Sequence, residues 1–86
     1  MHIASYRGHL ETLQLLIGSG ANVNARDGNW TAVYVAVIGG HLEVVRLLLE
    51  NGADPNVRKD DVTSLIQAQS GGHLEIVQLL LKYGAE

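Results

Sequence analysis

The stretch GHLEVVRLLLENGAD, residues 40–54, decides the fold because close copies of it lie on both sides. Gly-His-Leu-Glu occurs three times, beginning at Gly8, Gly40 and Gly72, and Gly-Ala follows each copy at the same distance. Both motifs recur every 32 residues. A fixed period of this size is typical of repeat proteins, in which each repeat buries its apolar face against its neighbours.

Each copy predicts a helix that ends at a glycine. Leu42, Val45, Leu48 and Leu49 fall on one helical face. The glycine that follows is suited to the C′ position, where a left-handed backbone needs no Cβ atom. The three glycines at this position are Gly20, Gly52 and Gly84.

The stretch TAVYVAVIGGH, residues 31–41, looks like a β-strand when it is read alone. Val33, Val35 and Val37 alternate with other residues, and β-branched side chains favour a pleated surface. The same register of the next copy reads TSLIQAQSGGH, residues 63–73, which does not alternate. The repeat therefore overrules the local pattern.

We predict instead a short helix in this register of each copy. Thr31 and Thr63 stand where an N-cap belongs, and Val33, Ala36 and Val37 are predicted core residues. A helix of about two turns is not stable by itself, so stacking against adjacent units must hold it. The Asn-, Asp- and Gly-rich segments between units predict β-hairpin turns.

At this point the unit DGNWTAVYVAVIGGHLEVVRLLLENGADPNVR, residues 27–58, resembles an ankyrin repeat. Gly-His-Leu-Glu, Leu-Leu-Leu and Gly-Ala-Asp are its most specific parts. The resemblance covers about two and a half units over residues 1–86, divided near 1–26, 27–58 and 59–86. It implies a single all-α domain, an ankyrin-repeat solenoid of stacked helix-turn-helix units with short β-hairpin loops.

The sequence departs from the family pattern in several places. The period is 32 residues rather than the usual 33, and no proline begins the inner helices. Gln69 stands where the family has an alanine, so we expect it at the edge of the stack or facing a partner. The end units lack polar capping residues. Three interpretations fit these departures. The chain could be a fragment of a longer array, an engineered protein, or a subunit that buries its ends against another copy.

Composition argues against several classes of function. The net charge is −3 with only six lysines and arginines, which argues against nucleic-acid binding. The longest apolar run, residues 32–38, is too short to span a membrane. The absence of cysteine excludes thiolate metal sites and disulfides. With no apolar signal core, the chain fits a cytoplasmic or nuclear protein better than a secreted one.

No motif predicts catalysis, a metal or a cofactor. The His-Leu-Glu triplets suit a helix start better than a metal site, and Gly18-Ser19-Gly20 follows a helix rather than the strand that a phosphate loop requires. Asp60 and Asp61 form a carboxylate pair in a predicted loop, where solvent keeps both ionised. We therefore expect no enzyme activity.

Trp30 is the leading candidate for contact with a partner protein. It is the only tryptophan, and by the resemblance its position points along the concave face. Alternatively, Trp30 packs locally over its own hairpin, which the 32-residue period makes one residue shorter than usual. The full set of predicted contact residues is Tyr6, Arg7, Asp27, Trp30, Tyr34, Ile38, Lys59, Asp60, Val62 and Ser70.

Two other interpretations remain open at this stage. The chain could be a structural unit that assembles with copies of itself through its uncapped ends, without a distinct ligand. By resemblance alone, Asn24 and Asn56 match asparagines that an oxygen-sensing hydroxylase modifies in other ankyrin repeats. They would then be substrate sites of another enzyme.

Overall fold

The computed structural model describes residues 5, 7–26 and 30–85, which form helices and one β-hairpin. Ser5 and Arg7 are also helical. The helices are α1 Leu10–Gly18, α2 Ala32–Gly39, α3 Leu42–Glu50, α4 Ser64–Ser70 and α5 Leu74–Lys82. The strands are β1 Arg58–Lys59 and β2 Val62–Thr63. The predicted mainly helical architecture is therefore confirmed.

The segment with the strand-like pattern is helical, as the repeat predicts. In α2, the Thr31 Oγ1 atom accepts a hydrogen bond from the Tyr34 amide at 3.4 Å. In α4, the Thr63 Oγ1 atom accepts one from the Ile66 amide at 3.1 Å. Both predicted N-caps are thus confirmed, and each satisfies a backbone donor that has no partner inside the helix.

The helices stack in two layers. The inner helix α2 packs on α3 of its own repeat and on the inner helix α4 of the next. Among the outer helices, α3 packs on both α1 and α5. Because α2 has neighbours on several sides, six consecutive residues from Ala32 to Val37 are buried. This explains how an apolar, β-branched segment can remain a helix: tertiary burial outweighs its local preference.

The outer helices end in the predicted way. Gly52 has a φ of 91°, its amide donates to the Leu49 carbonyl at 3.1 Å, and the Ala53 amide donates to the Leu48 carbonyl at 2.9 Å. These two bonds form a Schellman motif, which satisfies carbonyls left open at a helix end. Gly20 and Gly84 also have positive φ angles, which confirms the predicted C′ positions.

One hairpin tip is fully described. Strands β1 and β2 pair antiparallel, with Arg58 opposite Thr63 and Lys59 opposite Val62. The turn between them has two residues, and Asp60 adopts a left-handed φ of 57°. Asparagine and aspartate tolerate this conformation better than most side chains. The tip of the preceding hairpin, residues 27–29, lies outside the described residues.

Asparagine side chains connect successive loops. The Asn24 Nδ2 atom donates to the Gly52 carbonyl at 2.9 Å, and the Asn24 Oδ1 atom accepts from the Asp54 amide at 2.7 Å. One repeat later, the Asn56 Nδ2 atom donates to the Gly84 carbonyl at 3.2 Å. These bonds set the spacing of neighbouring repeats. Hydroxylation of either asparagine stays a prediction.

Histidines of the Gly-His-Leu-Glu motif pack on glycines of the preceding repeat. A Cβ atom built on Gly8 would lie 2.6 Å from the Nδ1 atom of His41, and one built on Gly40 would lie 2.7 Å from the Cε1 atom of His73. The imidazole therefore occupies the space that any side chain would need. This contact between repeats fits the prediction that these histidines have a structural role and do not form a metal site.

Candidate partner-binding surface

Trp30 lies immediately before the N-cap of α2, and its ring packs against the ring of Tyr34. The Trp30 side chain is 36% exposed, whereas Tyr34 is only 4% exposed. Their ring centroids are 5.8 Å apart, and the rings meet edge to face at 68°. Aromatic pairs favour this geometry because the positive ring edge meets the negative ring face. The core thus holds the indole in a defined orientation.

The next hairpin contributes a cation to the same indole. The Nζ atom of Lys59 lies 4.7 Å from the Trp30 ring centroid and 3.7 Å from the Oδ2 atom of Asp60. A cation over an exposed tryptophan contributes about 0.5 to 1 kcal/mol. Trp30 therefore joins the middle repeat to the following hairpin, and the ammonium is held between an aromatic face and a carboxylate.

Val62 completes this surface. It pairs with Lys59 across the hairpin, and its side chain is exposed. We name the group of five residues the Trp30 cluster, which consists of Trp30, Tyr34, Lys59, Asp60 and Val62. It presents an aromatic ring and an aliphatic side chain next to one positive and one negative charge.

Of the other predicted contact residues, three lie in the described part of the chain and two lie outside it. Ile38 is half-buried and packs against the core near the end of α2, roughly 9 Å along the helix axis from its start. Ser70, at the end of α4, and Arg7 are exposed. Tyr6 and Asp27 lie outside the described residues.

Tyr34 requires a correction. The sequence predicts it as a contact residue, but its side chain belongs to the core. It positions Trp30 instead of presenting its own surface. The contact between Lys59 and Trp30 was not predicted, since the two residues lie 29 positions apart and only the register of adjacent hairpins brings them together.

The hydroxyl of Tyr34 makes stability depend on pH in the alkaline range. Desolvation, followed by the negative charge of Asp60, raises the pKa of Tyr34 above its ordinary value of 10.0. The unfolded chain then releases this proton at lower pH than the folded chain does. The contribution of Tyr34 to the free energy of unfolding is therefore complete below about pH 10. It is lost as the pH rises through the pKa of Tyr34 in the folded state.

We expect the free energy of unfolding to fall more steeply above about pH 10 in the wild type than in the variant Tyr34→Phe. Urea denaturation at a series of alkaline pH values measures both slopes. The variant keeps the ring and removes only the ionisable group, so lysine titration is common to both proteins. Parallel pH profiles would contradict the assignment.

Other kinds of site find no geometric support in the described part of the chain. Across residues 5, 7–26 and 30–85, no three His, Asp or Glu side chains come close enough together to hold a metal ion. Within the same residues, no helix has both the length and the apolar character needed to cross a bilayer.

The stacked helix pairs define an α-helical repeat protein. A family model described as "Ankyrin repeats (3 copies)" matches residues 1–86, and the chain belongs to this family. The match describes three copies, where the sequence analysis predicts about two and a half units. Among curated proteins, no significantly similar sequence is found. Ankyrin repeats are generally protein-interaction modules and typically non-enzymatic scaffolds.

Proposed function

We propose that the three repeats form a solenoid that binds a partner protein through its concave face. The inner helices α2 and α4 and the adjoining hairpins would provide this face. Trp30 would be the central contact, with Val62 beside it and the charges of Lys59 and Asp60 at its edge. The chain would act by binding alone, without a cofactor or metal.

The observation that carries this proposal is the support given to an exposed tryptophan. The indole is more than one-third accessible, yet Tyr34 meets it edge-on and Lys59 lies over it. A side chain already held in place loses little rotamer entropy when a partner covers it. Tryptophan is also among the residues that contribute most to measured interface energies.

Trp30→Ala tests the proposal. We expect it to lower the affinity for a partner protein by about 30-fold or more, equivalent to about 2 kcal/mol, because the largest apolar contact is removed. The immobilised wild-type chain would first capture candidate partners, which mass spectrometry identifies. A purified partner is then titrated against wild type and variant by calorimetry.

Tyr83→Ala is the matched control. Tyr83 is 37% exposed, like Trp30, but it follows the outer helix α5 instead of an inner-helix hairpin. We expect this variant to keep full affinity. Circular dichroism must show that both variants fold. Full affinity of Trp30→Ala, or a loss confined to Tyr83→Ala, would refute the proposed face.

A further inference from the structure

Asn51 and Gly52 form the only Asn-Gly pair in the sequence, and they lie where α3 ends. The Asn51 side chain is exposed, and Gly52 has no side chain that would shield its backbone nitrogen. In such a pair the glycine nitrogen can attack the side-chain carbonyl carbon of the asparagine, and asparagine is among the thermolabile residues of proteins. The equivalent residues of the other repeats, Ser19 and Tyr83, have no side-chain amide.

The reaction consumes only water. The Gly52 nitrogen gives its proton to hydroxide and forms a bond to the Cγ atom of Asn51, after which the bond between Cγ and Nδ2 breaks. The leaving nitrogen takes a proton from water, and ammonia departs from a five-membered succinimide ring. Water then opens this ring at either carbonyl. Opening at Cγ gives aspartate, and opening at the main-chain carbonyl gives isoaspartate, in which the backbone runs through Cγ.

The folded backbone holds the two reacting atoms apart. Ring closure requires the Gly52 nitrogen to lie close to the Cβ atom of Asn51 in the view along the Cα–C bond. Asn51 has a ψ of 19°, so the Gly52 nitrogen instead nearly eclipses the backbone nitrogen of Asn51. Because Cβ is a different tetrahedral substituent of Cα, the peptide must turn through a large angle before its nitrogen can reach Cγ.

Hydrogen bonds restrain the same two groups. The Asn51 Nδ2 atom donates to the Leu47 carbonyl at 2.8 Å, and the Gly52 amide donates to the Leu49 carbonyl at 3.1 Å. The first bond holds the side-chain amide against the helix, and the second engages the proton that Gly52 must release. The Gly52 carbonyl also accepts from the Asn24 Nδ2 atom at 2.9 Å. The reaction therefore requires this helix end to open locally.

We propose that Asn51 is a deamidation site, and that the folded end of α3 holds the reaction back until this segment opens. The reagent is water, and neither an enzyme nor a partner protein is needed. The proposal goes beyond partner binding and does not involve the Trp30 cluster, so either proposal can fail without the other.

Both products would weaken the helix end. Aspartate cannot donate to the Leu47 carbonyl, and its charge lies at the C-terminal end of α3, where the helix dipole disfavours an anion. Isoaspartate adds a backbone atom before the Gly52 nitrogen, which displaces the two hydrogen bonds of the Schellman motif. A transient opening would thus be converted into a permanent change of structure.

Peptide mapping by mass spectrometry tests the site and its control by the fold. The full chain is kept in mildly alkaline buffer with and without guanidinium chloride, and electron-transfer fragmentation distinguishes aspartate from isoaspartate. We expect Asn51 to convert roughly tenfold faster or more in the denatured chain. Internal controls are the asparagines whose next residue carries a side chain that hinders the attack, and they should convert more slowly than Asn51 in guanidinium chloride. They are Asn22, Asn24, Asn29 and Asn56.

Two leucine variants test whether opening controls the rate in native buffer. Leu48→Ala removes a fully buried side chain from α3, so it should raise the rate of Asn51 conversion roughly threefold or more. Leu15→Ala is the matched control, because its side chain is 74% exposed and the rate should stay unchanged. Asn51→Gln keeps an amide on a longer side chain that disfavours the five-membered ring, and it should fold without converting.

Asn51→Asp measures the effect of the charged product. We expect it to unfold at a lower urea concentration than the wild type, and Asn51→Gln, which adds no charge, to lose less stability. Four outcomes would overturn the proposal. They are equal rates of Asn51 conversion in folded and denatured chains, faster conversion of another asparagine in the denatured chain, a wild-type rate in Leu48→Ala, and wild-type stability of Asn51→Asp.

Discussion

Replacing Leu48 with alanine is expected to lower the free energy of unfolding by about 2 to 5 kcal/mol, which is a large share of the stability of a small domain. Leu48 has no exposed surface and lies in α3, the outer helix that packs on both neighbouring outer helices. Truncation loses apolar burial and leaves a cavity that the flanking repeats hold open. Urea denaturation followed by circular dichroism measures the change.

Leu15→Ala is the control for this prediction. It makes the same chemical change in the outer helix α1, but the side chain is largely in solvent, and we expect a change below about 0.5 kcal/mol. Equal losses of unfolding free energy in Leu48→Ala and Leu15→Ala would show that burial in the stack does not determine how much each leucine stabilises the fold.

Gly40→Ala is expected to destabilise the protein for two separable reasons. Gly40 has a φ of 71°, and a left-handed backbone costs about 1 to 2 kcal/mol for a residue with a Cβ atom. The added methyl group would also lie 2.7 Å from the imidazole of His73. Displacing a packed ring costs about 1 to 3 kcal/mol more. Thermal and urea unfolding both report the total.

Gly72→Ala isolates the backbone part of this effect. Gly72 has nearly the same φ, 73°, and the same position in the next repeat, but nothing lies within 4 Å of its Cβ position. We expect Gly72→Ala to show only the backbone cost. In a Gly40→Ala background, His73→Ala should recover part of the loss. If both glycine variants cost the same, the contact between repeats is energetically unimportant.

The repeat made most of the secondary structure predictable. The 32-residue period assigns a helix to residues 31–41 against the local pattern, and α2 confirms it. The threonine caps and the glycine ends follow from the same register. These features are local, because a cap or a C′ glycine acts within a few residues of its own helix.

The Trp30 cluster was only partly predictable. The sequence identifies Trp30, Lys59 and Val62 as surface residues, and all three are at least partly exposed. It does not predict that Tyr34 is buried beneath Trp30 or that Lys59 lies over the indole. The burial of Tyr34 and the position of Lys59 depend on how closely adjacent repeats approach. The two short hairpin segments alone do not specify that distance.

The sequence by itself determines the repeat, the helical units and their ends, because these follow from periodicity and short-range hydrogen bonding. Tertiary structure alone decides which copy of each repeated leucine is buried. Leu15, Leu47 and Leu79 are identical in sequence position, yet one is open to solvent and another is almost fully covered. The difference arises because burial depends on the neighbouring repeat and not on the residue itself.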